Sequence, residues 1–155
     1  MALTANKNFL SPVGFTLKID SGMANTEYFC TQANIPGISL SNIDTAYKGV
    51  NLGMTGDRMT FDDLTITFNI TENMENYIEI WNWLHNIITK KDAEENYKFD
   101  ARLMILSSHN NVVKEIKFLD IFPTNLGSVE FNSQLTDIEY AQATVTFKYT
   151  YYEIE

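Results

Sequence analysis

Hydrophobic and polar residues alternate along several segments with a period of two residues, the pattern of a strand that buries one face. Residues 64–70 are the clearest case, because four large apolar residues alternate there with two threonines and an asparagine. The same alternation predicts strands at 13–20 and 143–151. A less regular alternation predicts strands with both faces partly covered at 27–35, 99–107 and 112–121, and short strands are expected at 46–52 and 128–132. We expect a mainly β, antiparallel sandwich or barrel-like domain.

One stretch, residues 74–91, has helical spacing instead. Its apolar residues recur every three or four positions, which predicts an amphipathic helix flanking the strands. This stripe consists of Tyr77, Ile80, Trp81, Leu84, Ile87 and Ile88. Asn73 is the expected N-cap. The stripe places Trp81 in the core and leaves Trp83 on a second surface of the helix.

Residues 36–60 show only short strand-like pieces and contain one proline and four glycines. A long irregular segment inside a compact domain is usually functional or disordered. This segment is too apolar for disorder. Its large apolar residues are Ile38, Leu40, Ile43, Tyr47, Val50, Leu52 and Met54. We expect them to be buried against another chain.

Length and composition are those of one folded domain spanning residues 1–155. The chain is 45% hydrophobic, with ten Phe, eight Tyr and two Trp, enough for a substantial core. No apolar run approaches the roughly 20 residues that span a bilayer, so we expect no membrane partner. Cys30 is the single cysteine. It can form no internal disulfide, and a reducing intracellular place of synthesis is expected.

The charge argues against specific binding of nucleic acid. Affinity for DNA comes from Lys and Arg that neutralise phosphates. Here 11 such residues stand against 20 Asp and Glu, and the net charge is −9. The surface therefore repels DNA.

From the sequence we expect no metal or cofactor site. His85, His109 and Cys30 fall in different predicted elements, whereas zinc needs clustered ligands. The glycines are dispersed, so no phosphate-binding loop is present.

The acidic residues Asp57, Asp62 and Asp63 could supply the carboxylate pair of a glycoside hydrolase. Neighbouring residues of a strand point to opposite faces, so Asp62 and Asp63 would not converge on one substrate. We interpret GDRMTFDD as a turn that leads into a strand and expect no enzyme; the resemblance described below implies that this turn lies at a subunit junction. On the apolar side of the strand start, Asp62 would need backbone N–H groups or Arg58 as partner. Asp63 should face solvent or, as the same resemblance implies, a lumen or a neighbour.

Three parts of the chain resemble tail tube proteins of contractile-tailed bacteriophages. They are the opening FLSPVGFTLKI with EYFCTQANIPGISL, the central GDRMTFDDLTITF, and FPTNLGSVEFN followed by EYAQATVTFKYTYYE. The resemblance rests on Gly56, Asp57, Arg58, Phe61, Asp62, Asp63, Pro123, Thr124, Asn125 and Gly127. Type VI secretion tubes and baseplate tube-initiator proteins are related.

The resemblance implies a virion protein, made in the host cytoplasm, that forms hexameric rings stacked into a hollow tube. Its partners would be further copies of the chain, a contractile sheath, the baseplate and tail-terminator proteins. Six copies at −9 each would carry −54, so DNA would cross the lumen without specific binding.

The expected subunit-interface residues combine the apolar segment, the acidic motif and one tryptophan. They are Ile38, Leu40, Ile43, Tyr47, Leu52, Asp57, Arg58, Asp62, Asp63 and Trp83. The alternatives are a baseplate tube-initiator or tail-completion ring, a type VI secretion-like tube, and a carbohydrate-binding β-sandwich that would use Trp83. A hydrolase using Asp62 or Asp63 is the least favoured.

Overall fold

The computed structural model describes residues 5, 8–20, 23–89, 97–137 and 139–155, which form nine strands and two helices. In chain order these are β1 (Phe15–Ile19), α1 (Ala24–Tyr28), β2 (Cys30–Ala33), β3 (Ile38–Tyr47), β4 (Val50–Phe61), β5 (Leu64–Asn69), α2 (Glu75–Thr89), β6 (Phe99–Leu106), β7 (Val112–Leu126), β8 (Gln142–Lys148) and β9 (Tyr151–Ile154).

Seven strands form one antiparallel sheet in the order β1-β6-β7-β8-β5-β2, with β9 also paired to β7. The long strand β7 joins the two halves of this sheet. It pairs with β6 and β9 along its first part and with β8 along its last part. Asp120, with φ 55, lies in β7 just before the strand changes partners, and its N–H donates to the Asp100 carboxylate at 3.2 Å. The sheet can therefore bend there and enclose a core.

The core lies between the two halves of the sheet and α2. The buried apolar residues are Leu17, Ile19, Leu64, Ile66, Phe68, Ile80, Trp83, Ala101, Leu103, Ile116, Phe118, Ile121, Ala143, Val145 and Phe147. They occupy alternate positions of β1, β5, β6 and β8, as the period of two predicts. The expected mainly β antiparallel class with a flanking helix is confirmed.

The assignment of the two tryptophans was wrong. Trp83 is 3% exposed and Trp81 is 51% exposed. The Trp83 indole N–H donates to the Tyr97 carbonyl at 2.7 Å, and its ring lies 5.1 Å from that of Phe99 and 5.6 Å from that of Phe147. Apolar residues cover two adjacent faces of α2, so helical spacing alone could not show which face is buried.

Polar contacts fix the start of α2. Asn76 is fully buried; its amide donates to the Asn69 carbonyl at 2.5 Å and accepts from the Thr71 N–H at 3.3 Å. The Glu75 N–H donates to the Thr71 hydroxyl at 3.0 Å. Thr71, not Asn73, therefore caps the helix. Residues 90 and 91 of the predicted helix 74–91 lie outside the described residues.

Three further strand predictions need correction. Residues 27–35 contain the end of α1 and then β2, and residues 128–132 form no strand. The predicted strand 46–52 contains the turn between β3 and β4. The predicted strand 143–151 covers most of β8 and the first residue of β9.

The burial of Trp83 gives a direct test of the helix face. Trp83→Ala should lower the free energy of unfolding by about 3–5 kcal/mol, because it leaves a cavity beside Phe99 and Phe147. Trp81→Ala is the matched control, because it removes the same side chain from the exposed side of α2. It should lower the free energy of unfolding by about 1 kcal/mol or less. Urea unfolding followed by far-UV circular dichroism measures both. Equal losses would contradict the assignment of the buried face.

Candidate interaction surface

Strands β3 and β4 form a hairpin that is a two-stranded sheet of its own, separate from the seven-stranded sheet. Its turn is made by Lys48 and Gly49, both in the left-handed region with φ 47 and φ 80. Such residues suit the two-residue turn that matches strand twist. The expectation that residues 36–60 lack regular structure was therefore wrong.

A bulge interrupts the hairpin in its middle. Leu40 pairs with Met59 and Asn42 pairs with Thr55, so Ser41 alone faces Gly56, Asp57 and Arg58. A β-carbon on Gly56 would collide with the backbone of Ser41, which explains the glycine. The Gly-Asp-Arg motif is thus a bulge inside a strand, and its interpretation as a turn was wrong. Bulges bend a strand and increase its local twist.

The apolar positions of the hairpin change phase at this bulge. On β3 the large apolar residues are Ile38 and Leu40 before the bulge, and Ile43 and Tyr47 beyond it. Residues an odd number of positions apart on a strand point to opposite faces. The outer part of the hairpin therefore carries its apolar side chains on the other face of the ribbon from its base.

We call the apolar side of the outer hairpin the tip face. It comprises Ile43, Tyr47, Val50, Leu52 and Met54, which are 53% to 68% exposed. The opposite side consists of Asn42, Asp44, Ala46, Asn51, Gly53 and Thr55. A two-stranded hairpin is at best marginally stable alone in water. A contiguous exposed apolar patch marks an interaction site.

The base of the hairpin is attached to the rest of the protein by aromatic residues. The ring of Phe61 lies 6.0 Å from that of Tyr149 and 5.4 Å from that of Tyr152. The Tyr149 hydroxyl donates to the Asp62 carbonyl at 2.7 Å, and the Tyr152 hydroxyl donates to the Pro36 carbonyl at 2.8 Å. Both ends of the hairpin are therefore held from the segment that contains β9.

The two adjacent carboxylates do not behave as predicted. The side chain of Asp62 is exposed, so its placement on the apolar side was wrong. The strand alternation does not reach it, because β5 begins at Leu64. Asp62 instead acts through its backbone: its N–H donates to the Gly37 carbonyl at 3.0 Å. Among the described residues the ion pairs are Arg102–Glu115 and Lys117–Asp100, and neither includes Arg58. Asp63 is exposed, as expected.

Tyr149 is the titratable group most affected by this arrangement. Burial raises the pKa of its hydroxyl to about 12, and the Tyr152 phenol and the carboxylates of Asp62 and Asp63 act in the same direction. The hydroxyl therefore remains a hydrogen-bond donor throughout the neutral and mildly alkaline range.

The candidate places for chemistry among the described residues are groups of metal-binding side chains and surface hollows. They contain no group of three or more His, Cys, Asp or Glu side chains placed to hold a metal ion. Surface hollows of about 220, 300 and 410 Å³ include none of Asp57, Asp62 and Asp63 in their linings. Burial raises the pKa of the Cys30 thiol to about 11, against the opposing effect of a hydrogen bond with the backbone of Gln32. No described helix combines the length and apolar character needed to cross a membrane.

A second exposed patch lies on α2, which we call the outer helix stripe. It consists of Ile78, Trp81, His85 and Ile88, spaced three, four and three residues apart. The rings of Trp81 and His85 are stacked at 5.0 Å. This stripe is on the side of α2 away from Ile80 and Trp83, so it faces away from the core.

The structure places most of the proposed interface residues together on the hairpin formed by β3 and β4, which extends like an arm from the rest of the protein. Ile38, Leu40, Ile43, Tyr47, Leu52, Asp57 and Arg58 all lie exposed on the hairpin. Trp83 does not belong with them, because it is in the core. Sequence reasoning missed Met59, which is exposed near the base, and the attachment through Tyr149 and Tyr152.

Comparisons with known proteins match this chain to one family. The family model described as "Phage tail tube protein" matches residues 3–155. A tail tube protein of Serratia phage KSP90 is 32% identical over 121 residues, which are 75% of this chain and 67% of that protein.

Solved structures share the fold at low identity. The tube-terminating cap of the anti-feeding prophage has a TM-score of 0.73 at 16% identity, covering 99% of this chain and 95% of the other. A chain of the PVC sheath-tube complex, from an extracellular contractile injection system, has a TM-score of 0.73 at 14% identity, covering 96% and 93%. An Hcp protein has a TM-score of 0.54 at 9% identity, covering 91% and 98%.

The raised pKa of Tyr149 predicts a specific pH dependence. Because the hydroxyl titrates near 10 in the unfolded chain and at about 12 in the folded one, its contribution to stability is complete below pH 10. That contribution is lost as the pH rises to about 12. Between pH 9 and pH 11, the free energy of unfolding measured in urea should fall more for the natural protein than for Tyr149→Phe. Equal falls in the two proteins would contradict the raised pKa of Tyr149.

Cys30 should react slowly with alkylating reagents. With a pKa of about 11 in place of 9.0, its thiolate fraction at pH 8 falls about 100-fold. Alkylation by iodoacetamide, followed by mass spectrometry, should therefore be slow in the native protein and fast in urea. Equal rates would show that the thiol is not shielded.

Proposed function

Because the chain belongs to the phage tail tube protein family, we propose that six copies form a ring and that the rings stack into the inner tube of a contractile tail. DNA passes through the lumen of this tube without specific binding. The protein is a structural component of the virion. The observation that carries the proposal is the family match over residues 3–155, together with the uncovered tip face.

The hairpin is the proposed contact between copies. Its tip face is apolar and exposed, and among the described residues the aromatic contacts with the body of the same chain, made through Phe61, Tyr149 and Tyr152, lie at the base. An arm of one copy that binds a different surface of the next copy makes a heterologous contact, which generates rings or filaments. Ile38, Leu40, Asp57, Arg58 and Asp63 extend this proposed interface toward the base.

The face of the sheet opposite the core is the proposed lumen lining. Thr65, Thr67, Thr144 and Thr146 alternate with buried residues on β5 and β8, and the Thr67 and Thr144 hydroxyls lie 3.3 Å apart. Threonine hydroxyls hydrate well and do not neutralise phosphates, and Lys148 at the end of β8 adds a single positive charge to this face. The net charge of −9 per chain adds repulsion.

The outer helix stripe is the proposed sheath contact. Trp83 of α2 packs on Phe147, on the opposite side of β8 from Thr144 and Thr146. If the threonine face is luminal, α2 must lie on the outside of the tube, where its stripe is accessible. The similarity to a chain of a sheath-tube complex supports a sheath as the partner. Synthesis in the host cytoplasm as one tail-tube domain, with no catalytic role, completes the proposal.

A tube-capping or initiator ring is the second candidate. The similarity to a tube-terminating cap equals the similarity to the chain from a sheath-tube complex, so fold alone does not separate them. Negative-stain microscopy of the purified chain separates the two. Long tubes support the tube subunit, whereas single rings that do not elongate support the cap or initiator.

Adding a charge to the tip face should weaken assembly. Leu52→Asp places a carboxylate in the proposed apolar contact, so the concentration needed for tube formation should rise at least about tenfold, equivalent to about 1.4 kcal/mol. Sedimentation of assembled protein over a concentration series gives this value.

The matched control is Asn51→Asp, which adds the same charge one residue away on the opposite side of the hairpin. It should assemble near the natural concentration, and both variants should unfold at the natural temperature as monomers. If Asn51→Asp blocked assembly as strongly as Leu52→Asp, the tip face would not be the contact.

A further inference from the structure

Two tyrosine hydroxyls hold the two ends of the hairpin in a matching way. Tyr152 donates to the carbonyl of Pro36, two residues before β3 begins, at 2.8 Å. Tyr149 donates to the carbonyl of Asp62, directly after β4 ends, at 2.7 Å. Since each strand of the hairpin is held at its root, the bonds fix both the position and the direction of the arm.

The rings of these two tyrosines contact the buried core. The Phe118 ring is fully buried and lies 5.1 Å from that of Tyr149 and 5.5 Å from that of Tyr152. Both tyrosine rings also contact Phe61 at the end of β4. An uninterrupted set of aromatic contacts therefore connects the rigid sheet to the hairpin, and the two hydroxyls lie where it meets the hairpin backbone.

In the described part of the chain, the outer hairpin has no comparable support. Its side-chain hydrogen bonds, between Asn42 and Asp44 and between Thr45 and Met54, are internal and do not connect it to the body. The bulge at Gly56 adds a bend between base and tip. An arm attached only at its root changes its direction when the root is loosened.

We propose that Tyr149 and Tyr152 are positioning residues for self-assembly, which direct the hairpin toward a second copy of the chain before that copy arrives. The proposal rests on the tube function proposed above. Binding by an arm already held in the required direction avoids the cost of ordering it on contact. When only a fraction of the arms points correctly, the apparent affinity falls by that fraction.

The test replaces each hydroxyl by hydrogen and keeps the ring. Tyr149→Phe, Tyr152→Phe and the double variant retain the contacts with Phe61 and Phe118. Tyr151→Phe is the matched control, because it removes the same atom from β9 and the Tyr151 hydroxyl has no hydrogen bond in the described part of the chain.

Hydrogen exchange of the unassembled chain is the first readout. In the double variant, residues 38–61 should lose protection while residues 64–69 of β5 keep theirs. Sedimentation is the second readout, and the concentration needed for tubes should rise about tenfold, as expected if only about a tenth of the arms point correctly. Tyr151→Phe should match the natural protein in both. A double variant that assembles at the natural concentration, or that loses protection equally in β5, would overturn the proposal.

Failure of the tube function would be recognised separately, because the natural protein would then not assemble under any condition. The positioning role would still be tested by the distance between spin labels at Thr45→Cys and Lys148→Cys in a Cys30→Ala background. The distribution should be narrow with Tyr149 and Tyr152 present and broad in the double variant. Equal widths would overturn the role of the hydroxyls.

Discussion

The packing of Trp83 against Phe147 determines the orientation of almost every other feature. It places α2 on one side of β8 and, through the strand alternation, sends Thr144 and Thr146 to the other side. The buried hydrogen bonds of Asn76 fix the same helix to the end of β5. Consequently β5 and β8 have one face closed by a helix and one face that carries threonines. The proposed inside and outside of the tube correspond to these two faces of the single subunit.

Period-two alternation was sufficient for the strands that bury one face. Residues 64–69, 99–106 and 143–148 lie in strands that have a neighbour on each side, where the apolar set must point into one core, and all three were recognised. The hairpin was missed because its alternation changes phase at Gly56 and because its outer part is exposed on both faces in the described part of the chain. A pattern search that expects one buried face finds only short pieces in such a segment.

The site was harder to predict than the fold for a physical reason. The acidic motif attracted attention because carboxylates carry charge, yet Asp62 acts through its backbone carbonyl and N–H. A backbone contact has no signature in residue type. Its partners Tyr149 and Tyr152 stand 87 and 116 residues away from the carbonyls they bind, so no local pattern connects them. Likewise, Trp81 and Trp83 lie on opposite sides of α2, and because both are tryptophans the residue type does not show which one is buried.

The separation between the hairpin and its tyrosines also determines the order of events during synthesis. Asp62 is made 87 residues before Tyr149, an interval of about 4 to 17 s at 5–20 residues per second. During that interval the chain lacks the two tyrosines that we propose direct the hairpin. On this proposal, a chain can direct its hairpin toward a second copy only after synthesis has passed residue 152.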